Sequence, residues 1–174
     1  MNKPLEIEYK FLIRYPDTEK LSNQSDYKAE KLTQLYLELP EEEAGFTKCR
    51  IRKVENSSGT RYIKTFKQSI TDMTRVEIES EISEEEYNTL SRYIRKGYSP
   101  IEKVRHSFSA FGFTYEIDIF PFWDDRAYLE IEVDSEETKP PIPEFIQIIK
   151  DVTSDIRYRN TALAQKIITE DIDA

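Results

Sequence analysis

Alternation is the strongest constraint on this chain. In Leu5-Glu6-Ile7-Glu8-Tyr9-Lys10-Phe11 every second residue is ionised and the residues between are apolar or aromatic. A period of two is the strand period, so Glu6, Glu8 and Lys10 share one face and the apolar residues share the other. One such strand could be a solvated edge. The pattern returns in Gln34, Tyr36 and Glu38, in Lys48-Cys49-Arg50-Ile51-Arg52, and in Tyr62-Ile63-Lys64-Thr65-Phe66-Lys67. It returns again in Arg75-Val76-Glu77-Ile78-Glu79-Ser80-Glu81, in Lys103-Val104-Arg105, in Thr114, Glu116 and Asp118, and in Leu129-Glu130-Ile131-Glu132.

A charged fraction of 34% against 38% hydrophobic residues would suit a disordered chain, but 12% aromatics and regular strand patterns place the charge inside a fold. A net charge of -9 argues against a protein that coats nucleic acid, while leaving room for a local basic pocket. One cysteine, Cys49, excludes an intramolecular disulfide and fits a reducing, cytoplasmic setting. It falls on the apolar side of its strand and reads as packing. There is no apolar run long enough to span a bilayer.

The strands are broken by few helices. Ser83 before Glu84-Glu85-Glu86 is a capping start, followed by Tyr87, Leu90 and Ile94 at helical spacing and by Gly97 as the stop. Pro40 and Glu41-Glu42-Glu43 end the strand at Leu39 in a solvated loop. Helices are expected from about Pro143 to Asp151 and from about Asn160 to Glu170. No domain boundary is visible, so residues 1–174 read as one domain.

The inward signs are sorted. Arg50, Arg52, Lys67, Lys103 and Arg105 are basic, and Glu6, Glu8, Glu77, Glu79, Asp118, Glu130 and Glu132 are acidic. Clustered carboxylates raise one another's pKa unless a cation neutralises them. Clustered Arg and Lys want an anion. A sheet closed into a barrel with its charges inward answers both, with a divalent metal on the carboxylates and a polyanion bridging metal and bases. About eight strands enclose room for one small ligand, and Mg²⁺ or Mn²⁺ suits oxygen ligands beside phosphate.

These residues resemble the CYTH, or triphosphate tunnel metalloenzyme, family. The resemblance starts with Glu-x-Glu-x-Lys at Glu6, Glu8 and Lys10. It continues in order through Gln34-Leu35-Tyr36-Leu37, Arg50-Ile51-Arg52, Thr65-Phe66-Lys67, Arg75-x-Glu77-x-Glu79 and Glu102-Lys103-Val104-Arg105. It ends with Glu116-Ile117-Asp118-Ile119-Phe120, Leu129-Glu130-Ile131-Glu132 and the segment Val152 to Asn160. It implies an α+β fold, an eight-stranded antiparallel barrel around a hydrophilic tunnel with helices flanking it. It also implies a metal-dependent triphosphatase, closest to short bacterial enzymes that split inorganic tripolyphosphate into pyrophosphate and phosphate.

By position in the family pattern, Glu6, Glu8, Glu130 and Glu132 are implied as metal ligands. Glu77, Glu79 and Asp118 are implied near a second metal or the attacking water. Arg50, Arg52, Lys67, Arg75, Lys103 and Arg105 are implied as the phosphate cradle, with Arg157 at one tunnel mouth. Lys10, paired with Tyr36, is implied near the scissile phosphates; either Lys10 or Lys103 could stabilise the leaving phosphate, and Asp118 could orient the attacking water. Thiamine triphosphatase, nucleoside triphosphatase and class IV adenylate cyclase remain readings within the fold. A non-catalytic polyphosphate or nucleotide-binding module is the rival outside it. Neither nucleic acid nor membrane is an expected partner, and the chain could be a monomer or a homodimer. Lys48, Lys64, His106 and Tyr9 depart from the family pattern. Of these, Lys48 could add a phosphate contact, and the others are expected to point outward.

Overall fold

The computed structural model describes residues 5–39 and 48–173. The Pro40 and Glu41–Glu43 stop signal lies outside the described residues. The strands are β1 (Leu5–Arg14), β2 (Lys28–Leu37), β3 (Lys48–Asn56), β4 (Gly59–Ser69), β5 (Thr74–Ile82), β6 (Ile101–Ala110), β7 (Phe113–Ile119), β8 (Arg126–Glu132) and β9 (Ile148–Asp151). The helices are α1 (Thr18–Ser22), α2 (Glu84–Leu90) and α3 (Asn160–Gln165).

Eight strands form a closed antiparallel ring in the order β5-β4-β3-β2-β6-β7-β8-β1. Leu5–Ile7 of β1 closes it against Thr74–Val76 of β5. The rest of β1 pairs with β8, Glu8 opposite Glu132 through Arg14 opposite Arg126. β1 therefore outruns β5 and leaves a free edge over Phe11–Ile13, which β9 covers.

That edge explains why the helix expected over 143–151 does not form. Only a turn with Ile146 N–H donating to the Pro143 carbonyl is present, and the chain then runs extended as β9. Arg14 N–H donates to Gln147 O, and Val152 N–H to Lys10 O, at 2.9 Å each. An exposed strand edge supplies backbone partners that override a weak local helix preference.

The last helix is also shorter than the expected 160–170, stopping at Gln165. Residues 166–173 continue as an extended strap, held where Trp123 Nε1 donates to Ile168 O at 2.8 Å and Arg126 Nη1 to Glu170 O at 2.7 Å. α2 begins as its cap indicates, with Ser83 Oγ accepting from Glu86 N–H at 3.0 Å. It passes into a 3₁₀ turn at Ser91–Tyr93 before the turn at Gly97, whose φ is +84°.

The barrel is inside out relative to an ordinary one. Apolar residues of β6, β7 and β8 (Phe108, Tyr115, Ile117, Leu129, Ile131) face outward and pack with Leu21 of α1 and with Ile146. Leu35, Leu37, Cys49 and Ile51 pack under Tyr87 of α2. A third cluster plugs one end of the ring: Leu12, Ile101, Phe120, Trp123 and Tyr128 beneath Tyr158 and Leu163. Burying these strips outside and at one end frees the interior for charge. No helix among the described residues is long and apolar enough to cross a membrane.

Candidate functional site

The interior is a cavity of about 310 Å³. Its walls carry Glu6, Glu8 and Lys10 from β1, Tyr36 from β2, Lys48, Arg50 and Arg52 from β3, and Lys67 from β4. Arg75, Glu77 and Glu79 from β5, Arg105 from β6, Glu116 from β7 and Glu130 from β8 complete the ring. Thr71, Thr153 and Arg159 line it from the connecting segments, with Thr74 at the start of β5 and Asn160 at the start of α3.

Cross-strand register decides which charges meet. Opposite signs face each other at Glu6 and Arg75, Lys67 and Glu77, Lys10 and Glu130, and Arg105 and Asp118. Like signs face each other at Lys48 and Lys67, Glu8 and Glu132, and Glu116 and Glu130. Like charges directly opposite destabilise a sheet unless a counter-ion joins them.

On the acidic side, Arg75 fills the space between carboxylates. Its Nε lies 2.9 Å from Glu6 and 3.1 Å from Glu77, and its Nη2 pairs with Glu8. Lys67 Nζ, 2.7 Å from Glu77, takes up part of that carboxylate's charge, and the one guanidinium does not balance the two left, Glu6 and Glu8. Burial, and then the Glu8 carboxylate, push Glu6 up to about 8. Burial also raises Glu116, helped by Glu130, although Arg105 Nη1 sits 2.6 Å away. This wall is short of positive charge.

The basic side has the opposite deficit. Arg52 donates its Nε to the neutral Gln34 Oε1 at 2.9 Å, and burial followed by Arg50 and Arg105 pulls its pKa down to about 9. An arginine stays protonated in a protein, so the pull marks an uncompensated buried cation. Burial, then Arg50 and Arg75, also lower Lys67, against the pull of the Glu77 carboxylate 2.7 Å from its Nζ. Arg50 Nε is buried and has no hydrogen-bond partner among the described residues. Its Nη2 reaches only Thr65 Oγ1 at 3.5 Å and Glu79 at 3.9 Å.

Beneath the cavity, Lys103 Nζ is 2.5 Å from Asp118, and both side chains are 0% exposed. Arg105 bridges this pair to the cavity. Its Nε and Nη2 hold Asp118 at 2.7 and 2.9 Å, while Nη2 also reaches Glu130 at 3.1 Å. Burial alone would raise Asp118, and Arg105 and Lys103 outweigh it, holding the carboxyl well below the usual range.

Residues 4–155 match the CYTH domain family. This chain belongs to the CYTH family. An inorganic triphosphatase of Acetivibrio thermocellus is 34% identical over 102 residues, which span 58% of this chain and 64% of that protein. The match therefore covers under two thirds of that relative. The crystal structure of the inorganic triphosphatase NE1496 superposes with a TM-score of 0.56 at 29% identity, covering 93% of this chain and 95% of that one. A Pyrococcus horikoshii protein, PH1819, gives 0.55 at 25% identity, covering 76% and 79%.

Within this CYTH barrel the expected site residues fall into three places. Glu6, Glu8, Lys10, Tyr36, Arg50, Arg52, Lys67, Arg75, Glu77, Glu79, Arg105 and Glu130 line the cavity. Lys103 and Asp118 do not, since they are sealed behind Arg105. Glu132 and Arg157 are exposed and also lie off it; Arg157 is held by Asp155 at 2.7 Å and by Glu170 at 3.5 Å. The expected pairing of Lys10 with Tyr36 takes another form. Lys10 Nζ pairs with Glu130 at 3.5 Å and stands 4.2 Å from the Tyr128 ring centre, while the Tyr36 hydroxyl accepts from Gln34 Nε2 at 3.1 Å.

The expected carboxylate set also does not converge as a ready-made cage. Among the described residues no three acidic, histidine or cysteine side chains gather at one point. Arg75 and Arg105 occupy the gaps between the carboxylates.

Sequence reasoning gave no role to Glu116, Arg159 or Asn160. Glu116 carried a usable signal, because it shares the inward parity of Asp118. Arg159 and Asn160 close the motif segment from Val152, whose 3₁₀ turn at Ile156–Tyr158 carries Arg159 to the cavity and turns Arg157 away.

Proposed function

We propose that this tunnel hydrolyses a linear triphosphate, inorganic tripolyphosphate first, to pyrophosphate and phosphate, with Mg²⁺ or Mn²⁺ bound. The observation that carries the reading is the pair of opposite deficits in one cavity. A wall of under-neutralised cations faces a wall of under-neutralised carboxylates, and a triphosphate carrying a divalent ion satisfies both. A polyanion alone would leave Glu6, Glu8 and Glu116 worse off, which disfavours a purely anion-binding module.

Arg50, Arg52 and Lys67 hold phosphate oxygens, the arginines through their paired donors. Glu6 and Glu8 fit a hard divalent ion, because their oxygens are the donors such an ion takes and Glu6 is already short of a cation. A divalent ion held there would supply charge withdrawal from the phosphate oxygens. Phosphoryl transfer then needs positioning more than covalent help. Glu116, its proton affinity raised, accepts a proton from the attacking water. The water oxygen bonds to the terminal phosphorus, the bridging P–O bond breaks, and pyrophosphate leaves with the electron pair. Lys10, held by Glu130, neutralises that departing charge. Asp118 acts through Arg105, which it orients.

Phosphate release from tripolyphosphate, with ATP and thiamine triphosphate alongside, tests the reading. Glu8→Gln should lower turnover of tripolyphosphate by about a hundredfold or more. A folded, metal-supplied wild type silent on all three substrates would sink the proposal.

Only ionised Glu6 is a metal ligand. At limiting metal, turnover should therefore climb as pH rises through about 8, and Glu6→Gln should lose that rise. A wild-type profile already level below that range would show that Glu6 does not gate metal binding.

A further inference from the structure

The turn over residues 70–73 joins β4 to β5 and forms part of the tunnel wall, where Thr71, Asp72 and Met73 line the cavity. Thr71 and Asp72 are also exposed, so the turn sits at the rim. We infer that Glu136, outside the cavity in the segment between β8 and β9, is a positioning residue that fixes this rim for substrate. The inference rests on the tunnel being the triphosphate site.

Packing does little to hold the turn. Ile70 is 58% exposed and Met73 is only half-buried. Hydrogen bonds give it shape. The Ile70 and Thr71 N–H groups both donate to Thr74 O, at 2.9 and 3.0 Å. Thr71 Oγ1 accepts from the Met73 and Thr74 N–H groups at 3.2 and 2.9 Å. The proton of that same hydroxyl goes to Glu136 Oε1. Thr74 Oγ1 donates to the same carboxylate oxygen at 2.9 Å. One oxygen therefore takes both threonine hydroxyls, from 65 and 62 residues away in sequence. Bonds to an ionised acceptor are the stronger kind. In return, the Thr71 and Thr74 hydroxyls hold Glu136 below the usual carboxylate range. Among the described residues, no other side chain from outside the β4–β5 hairpin hydrogen-bonds this turn.

Glu136 is itself braced. The Tyr9 hydroxyl donates to its carbonyl at 3.2 Å, and Val133 N–H donates to Ile7 O at 2.9 Å. Thr138 closes the segment around it, its hydroxyl donating to Asp134 Oδ1 at 2.7 Å. On the other side, Glu8 N–H donates to Met73 O at 3.2 Å. The turn and its anchor thus both rest on β1, beside the Glu8 carboxylate. Immediately after the turn, Arg75 enters the cavity and meets Glu6, Glu8 and Glu77. Fixing the turn fixes where that guanidinium enters. Lys10 and Glu116, which act at the reacting groups, are not on this hairpin. A loosened rim should therefore weaken substrate capture more than the chemical step.

Steady-state hydrolysis of tripolyphosphate and amide hydrogen exchange would test this on the wild type, Glu136→Gln, Glu136→Ala, Thr71→Ala and the Thr71→Ala/Glu136→Ala double variant. Glu136 is exposed, so its truncation costs no core packing. Glu136→Ala should raise the KM about tenfold and leave kcat within about twofold. The Met73 and Thr74 amides, which report on the Thr71 hydroxyl, should exchange about tenfold faster, with the unfolding midpoint near that of wild type. Glu136→Gln keeps an acceptor oxygen and should recover most of both losses. The double variant should have a KM no higher than the worse single variant, because one linkage is broken twice. An unchanged KM in Glu136→Ala, an equal rise in both Glu136 variants, or losses that multiply in the double variant would overturn the positioning role and leave the tunnel reading standing. Absence of turnover in the wild type would fall on the tunnel reading, whereas unchanged exchange in Glu136→Ala would fall on Glu136, so the two failures are separable.

Discussion

Asp118→Asn is expected to lower the unfolding free energy by about 3–5 kcal/mol and to remove most tripolyphosphate turnover. Asp118 is the one anion between Lys103 and Arg105 in a region where its own side chain and that of Lys103 are fully buried. A neutral amide keeps the shape and loses the charge, leaving buried Lys103 without its ion-pair partner while Arg105 keeps only Glu116 and Glu130. Urea midpoints of the purified protein would read the loss.

Adding Lys103→Met removes one of those cations and should return much of the stability. Turnover should stay low, because Arg105 would still lack the carboxylate that fixes its Nε and Nη2. Recovery of turnover together with stability would show Asp118 to be structural only. The acid limb follows from the same ion pairs. The folded pKa of Asp118 lies below its unfolded value of about 3.9, so its contribution is present above that value and fades as pH falls towards the folded pKa. Asp118→Asn should flatten that part of the stability profile.

The sequence makes the face of each strand legible and leaves depth hidden. Period-two alternation assigned Glu6, Glu8, Lys10, Arg50, Arg52 and Lys67 to the interior, and each lines the cavity. Here the rule is unusually sharp, because interior positions are charged and outer ones apolar, so the two faces cannot be confused. Depth depends on how the closed ring is sheared, a relation between strands far apart in sequence. Glu6 and Arg75, 69 residues apart, meet because β5 closes on the start of β1.

The same parity put Asp118 and Lys103 inward without showing that Arg105 would roof them over. It put Glu132 inward too, although the last position of β8 is exposed. β9 was unreadable for a related reason, since the edge it covers exists only after β1 has outrun β5. The capped start of α2 was legible because its signal is local, Ser83 to Glu86. The strap over 166–173 was not, because its partners Trp123 and Arg126 lie more than 40 residues away.

If the basic wall is built for a ligand and not for the fold, removing part of it should stabilise the empty protein. Arg50→Met is the sharpest case. Arg50 is buried, and among the described residues its Nε has no partner and its nearest ion-paired carboxylate, Glu79, is 3.9 Å away with a side chain 47% exposed. It also works against its neighbours, adding to the pull on both Arg52 and Lys67. Methionine fills much of the same volume without charge, and replacing poorly paired buried charge by apolar atoms is stabilising by about 1–2 kcal/mol. The unfolding midpoint without ligand should therefore rise.

The ligand response should move the other way. Tripolyphosphate with Mg²⁺ should stabilise the wild type in proportion to the logarithm of its concentration. In Arg50→Met that gain should shrink, and the KM should rise by about a hundredfold as charge-assisted contacts to phosphate are lost. A variant less stable than wild type in the absence of ligand would mean that Arg50 holds the barrel together through Thr65 and Glu79. The uncompensated charge on β3 would then belong to the fold, and the tunnel's preference for a polyanion would need another source.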